Sequence, residues 1–140
     1  MATITNTLTI TSPAGDALSD ALSLSLTKAD SAINGDVEMK LVTVSNRFSD
    51  AQDGNTVLLS ARTDSTKRCL IYLKNNGATG EVISVFTDTG DDRTIVTATE
   101  KIMTLKSGDF ALLPWAGEHA LYGSSASGSP KLEVGVFEEA

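Results

Sequence analysis

Turn-forming residues interrupt this chain again and again: Pro13 and Gly15, Asn34 and Gly35, Asp53 and Gly54, Asn76 and Gly77, Gly90, then Gly108 and Asp109. The runs between them are short, Thr-rich and apolar at alternate positions, with turns at the spacing of about a dozen residues that marks a sandwich or barrel. The 140 residues suffice for one domain with its own hydrophobic core. The fold class expected is all-β, a single-domain β-sandwich of about nine or ten mostly antiparallel strands.

Taken in order, Ile4, Leu8 and Ile10 alternate with Thr and Asn. Residues 1–12 are therefore expected to form an edge strand or an extended arm, ahead of a sandwich over 13–140. Leu22, Leu24 and Leu26 alternate with Ser and Thr as in a half-buried strand, and Ala17, Leu18, Ala21 and Leu22 also fit a short turn of helix before it. Asn34 and Gly35 predict a turn into a second strand in which Val37, Met39 and Leu41 face inward while Glu38 and Lys40 face water. The polar segment 46–55 reads as a loop, and residues 57–61 as a strand.

The run Cys69 to Leu73 is apolar on both faces, so its strand is either central or covered by a partner. Asn-Gly at 76–77 predicts a hairpin pairing 69–74 with 81–87. Residues 105–119, LKSGDFALLPWAGEH, hold the only Trp and the only His. They read as a central strand entered by a Gly-Asp turn and stopped at Pro114. In the last run, Leu132, Val134 and Val136 share a face.

A formal charge of −7 and a pI near 4.5 argue against nucleic acid or an anionic membrane as partner, since both would be repelled. The opening residues show no basic and apolar leader pattern, and no run of about 18 apolar residues occurs that could span a bilayer, so a soluble chain outside the Sec route is expected. The lone Cys69 cannot form an internal disulfide and is expected to be a small buried hydrophobe.

Chemistry-bearing patterns are sparse. Gly108, Pro114, Gly117 and His119 resemble the second sequence motif of the cupins, jelly-roll proteins in which that histidine ligates a metal. The motif's partner histidines have no counterpart, because His119 is the sole imidazole, whereas a transition-metal site normally draws on three or four ligands. A serine nucleophile would have only that histidine as base, and no G-x-S-x-G elbow occurs. Asp88, Asp91 and Asp92 lack EF-hand spacing, and no phosphate-cradling glycine loop is found. The expectation is a non-enzyme without catalytic residues, metal or cofactor. A cupin-like small-molecule binder or enzyme is the rival from another class.

Residues 67–140 resemble small virion structural proteins of tailed bacteriophages, most closely capsid decoration, or cement, proteins. The features that carry the likeness are the IYLKN strand with its Gly-containing turn, the GDFALLPW segment, the Ser/Gly-rich loop and the final KLEVGVFEE. The resemblance implies a jelly-roll that assembles as a homotrimer on the capsid exterior and clamps the major capsid protein, after synthesis in the host cytoplasm. A tail, neck or fibre-associated protein is the alternative within that class. The candidate interface residues are Ile4, Leu8 and Ile10 of the arm, Leu70 and Tyr72 of the doubly apolar strand, and Trp115 and His119 beyond Pro114.

Overall fold

The computed structural model describes residues 2–12, 22–46, 55–60, 69–87, 100–116 and 119–139; for 2–4, 6, 12, 22, 28–38 and 139 it describes the backbone alone. The turn of helix around Ala17, most of the polar loop 46–55, and the Asp88, Asp91 and Asp92 segment lie outside the described residues. All regular structure among the described residues is strand: β1 (Ala2–Ser12), β2 (Leu22–Thr43), β3 (Thr56–Leu59), β4 (Cys69–Asn75), β5 (Val82–Thr87), β6 (Lys101–Lys106), β7 (Phe110–Trp115), β8 (Leu121–Ser125) and β9 (Lys131–Glu139). One sheet runs β1-β2-β9-β4-β7, and the other β3-β8-β5-β6.

The chain divides into two compact units, one of residues 1–35 with 139–140 and one of 36–138. The first is an antiparallel ribbon in which β1 pairs with the beginning of β2, Leu8 opposite Leu26 and Ile10 opposite Leu24. Ser12, where the arm was expected to end, is the last residue of β1 and lies within this first unit. The expected turn at Asn34 and Gly35 is absent: β2 stays extended through both residues. Asn-Gly permits a turn without compelling one, and the backbone here remains in the strand conformation that all residues adopt.

The second unit is the sandwich. Its strands pair in a nested order, β2 with β9, β3 with β8, β4 with β7 and β5 with β6. Eight strands folded as one long hairpin and wrapped into two sheets make a jelly-roll. Between the sheets Cys69, Ile71 and Leu73 of β4 and Leu132, Val134 and Val136 of β9 meet Leu58, Ile83, Val85, Leu105 and Leu121 of the other sheet. Period-two alternation sends these side chains inward. Phe86, Ala120 and Tyr122 form a smaller second cluster.

The two sheets are joined at one end by the connections β4–β5 and β6–β7, and Asn75 binds both. Its side chain is fully buried. Its Nδ2 donates to Glu81 O (3.1 Å) and Leu105 O (3.0 Å), and its Oδ1 accepts from Gly77 N (2.8 Å). Its backbone N–H donates to Asp109 O (3.0 Å) and its carbonyl accepts from Gly108 N (2.9 Å). This is why Asn-Gly does not close a hairpin: β4 pairs with β7 and β9, and β5 lies in the opposite sheet between β8 and β6. The Asn75 amide folds back on Gly77 as an Asx turn and redirects the chain across the sandwich. A side chain at Gly77 would stand 2.6 Å from Pro130 Cβ, so only glycine fits.

The segment expected to be central proves to be an edge among the described strands: β7 ends the row, with β4 as its one described neighbour. It does not stop at Pro114, which sits opposite Leu70 with Trp115 following opposite Cys69. A proline is tolerated in a strand where its missing N–H faces a free edge. Gly108, at φ +84°, makes the tight turn into β7, as its sequence context indicated.

Replacing Asn75 by Ala removes the side-chain partner of two carbonyls and a backbone N–H, with the bond to Leu105 O buried. The substitution should lower the unfolding free energy by about 3 kcal/mol or more, measured by urea denaturation.

Candidate functional site

The sheet face turned away from the core is apolar where a solvated sheet would be polar. Pro114, Leu70 and Phe137 line up in one row across β7, β4 and β9, and Leu112, Tyr72 and Gly135 in the next. Beyond Gly135 lies β2, whose Met39 sulfur comes so close that an added Cβ on Gly135 would stand 2.6 Å from it. The Phe137 ring also approaches this point, so the glycine leaves a hollow that Met39, Phe137 and Tyr72 enclose. A third row, Phe110, Lys74 and Glu133, brings the charges. A shallow depression between Met39, Lys40, Leu41 and Glu133 marks the β2 side.

Met39, Leu41, Phe110 and Leu112 are between 46% and 64% exposed. At about 200 Å² for a large side chain they alone present roughly 400 Å² of apolar surface, the size at which a patch on a soluble domain marks an interaction site. Covering it is worth on the order of 10 kcal/mol before the entropy of association is subtracted. A surface that is broad, flat and poor in convergent polar groups is suited to docking another protein rather than to chemistry on a small substrate.

Of the candidate residues, Leu70 and Tyr72 lie on this face, both half-buried. Trp115 does not. It follows Ala111 and Leu113 on the inner side of β7 and packs against the core, its Nε1 donating to His119 O at 3.1 Å. The expectation of an outward anchor is therefore revised: its alternation with exposed Phe110, Leu112 and Pro114 turns the indole inward. His119 is half-buried in the bend after β7, tied to Trp115 through its carbonyl. Leu8 and Ile10 are exposed on the ribbon, while the side chain of Ile4 lies outside the described residues.

Met39 and Leu41, expected to point inward, point out; Val42 and Val44 supply the core from that side. Phe110, Leu112 and Phe137 were not singled out from the sequence. The available signal was the unbroken apolar run from Phe110 to Trp115, which, like Cys69 to Leu73, offers hydrophobic side chains to both faces.

Among the described residues no three His, Cys, Asp or Glu side chains converge to hold a metal ion. Cys69 is buried, as expected, with its Sγ donating weakly to Trp115 O at 3.5 Å.

Trp115→Ala should lower the unfolding free energy by about 3 kcal/mol through the cavity it leaves. Phe110→Ala, on the opposite face of the same strand, should change it by no more than about 0.5 kcal/mol. Urea titrations at the same dilute protein concentration measure the contrast. Compared with protein families, with characterised proteins and with solved structures, the chain matches none.

Proposed function

We propose that this chain is a non-enzymatic virion structural protein of the capsid decoration type, a homotrimer that binds the outer surface of a capsid and clamps neighbouring major capsid subunits. The observation that carries the reading is the apolar outer face of the β2-β9-β4-β7 sheet. A jelly-roll with a flat hydrophobic face is built to be covered by protein, and the likeness of residues 67–140 to decoration proteins says what kind of assembly uses it. The acidic charge fits a partner that is neither nucleic acid nor an anionic membrane.

The mechanism is linkage. A protein that binds the assembled shell and not its separated subunits raises the free energy of rupture, by about 2.7 kcal/mol per site when its free concentration is 100 times Kd. Expansion or breakage of the shell then has to disrupt those contacts first. No bond is made or broken, and no cofactor enters.

The test uses capsids that lack this protein. Added purified chain should co-sediment at saturation in a fixed ratio to the major capsid protein and raise the capsid melting temperature. Absence of co-sedimentation at micromolar concentration refutes the proposal, and labelled protein found on tails or necks in micrographs moves it to another virion site.

A further inference from the structure

The ribbon of β1 and early β2 carries a second uncovered apolar face. Its register places Leu8 opposite Leu26 and Ile10 opposite Leu24, so all four side chains lie on one side. They are between 39% and 55% exposed. The other side is hydroxylic, with Thr7, Thr9, Ser25 and Thr27, and Thr7 Oγ1 lies 3.4 Å from Thr27 Oγ1. A two-stranded ribbon standing alone is marginal in water, and one with its leucines uncovered gains stability only from a partner.

We propose that the occupant of the outer face of the β2-β9-β4-β7 sheet is the β1–β2 ribbon of a second copy of this chain. The sizes match. The four ribbon side chains offer roughly 300 Å² of apolar surface, and the sheet face offers somewhat more. Together these supply the apolar part of an interface of about 1,200 Å², the lower end of the standard size, of which a little over half is usually non-polar. The footprints match as well: two strands span about 10 Å and four span about 19 Å, so the ribbon fits within the face, packed sheet against sheet.

The electrostatics favour a copy of the chain despite its −7 charge. Thr5, Thr7 to Thr11 and Ser23 to Thr27, the ribbon residues whose side chains are described, include no ionisable group. An uncharged apolar ribbon meets no repulsion at the core of the contact, where charges are normally depleted. The ribbon and the face differ from each other and occur on every copy. Each copy therefore gives its ribbon and receives one, a contact between two different surfaces that leaves none unmet when the copies form a closed set. This inference goes beyond the capsid reading, borrows from it only the number of copies, three, and gives the sheet face to the contact between copies, so that the shell is met by other surfaces of the trimer.

The experiment is light scattering after gel filtration on the full chain, without capsids. Wild type should elute at a small multiple of 14.6 kDa. Leu26→Asp on the ribbon and Leu112→Asp on the face should each reduce the mass to that of one chain while keeping the circular dichroism of wild type, because both residues are exposed. Mixing the two variants should restore a one-to-one heterodimer, since one keeps a sound face and the other a sound ribbon. If either variant fails to fold, oxidation of a Leu26→Cys, Leu112→Cys double variant reads the same contact, and covalent oligomers support it. Wild type of monomer mass, a variant that stays oligomeric, or cross-links confined to single chains overturn it. Monomeric wild type that still binds capsids removes this inference together with the homotrimer and keeps capsid binding alone, whereas an oligomer that ignores capsids keeps this inference and removes capsid binding.

Discussion

Asn75 makes five hydrogen bonds in a place with no water to make them instead, and the sandwich is organised around that satisfaction. The amide reaches the start of β5 and the end of β6, both in the opposite sheet, while its main chain holds the turn that leads into β7. A buried amide left unmet costs about as much as several surface contacts contribute, so the alternative arrangements of these connections are disfavoured together. Around this pin, Ser107 Oγ donates to Gly77 O at 2.7 Å and Asn76 N donates to Lys131 O at 2.8 Å. Three sheet-crossing connections thus share one hydrogen-bonded knot, and the hydrophobic layer beyond it fixes how far apart the sheets stand.

The division of labour between the faces of β4 follows from its position. Its inner residues are matched by the opposite sheet, and its outer ones have no layer of described residues above them. A strand of this kind usually belongs to a parallel sheet buried on both sides. Here it lies in an antiparallel sheet whose described residues cover one side, so the outer side chains form an apolar surface rather than part of the interior.

Much of the fold was legible because alternation and turn residues are local signals. Cys69 to Leu73 and Leu132 to Val136 carry their burial in their own order of side chains. The errors fall where the outcome depends on distant partners. Asn76 and Gly77 look like a hairpin in isolation, and what redirects them is a bond from Asn75 to Leu105, thirty residues away. Pro114 looks like a stop because nothing nearby says that β7 is an edge. For the outer apolar face, the outward side of Leu70 and Tyr72 was readable from a doubly apolar strand, whereas the assignment of Trp115 to the inside and Phe110 to the outside depends on the phase of β7 against β4. Sequence gives the period of a strand more readily than its phase.

Pro114 also limits how such molecules can accumulate. An open strand edge invites further strands, and a sheet that grows by main-chain pairing has no natural end. Pro114, next to last in β7, interrupts the row of donors that an incoming strand would need. With that edge blunted, the β7 side of the sheet is a poor template for open-ended growth by main-chain pairing, and contacts made there fall to side chains, whose reach ends where the apolar rows end.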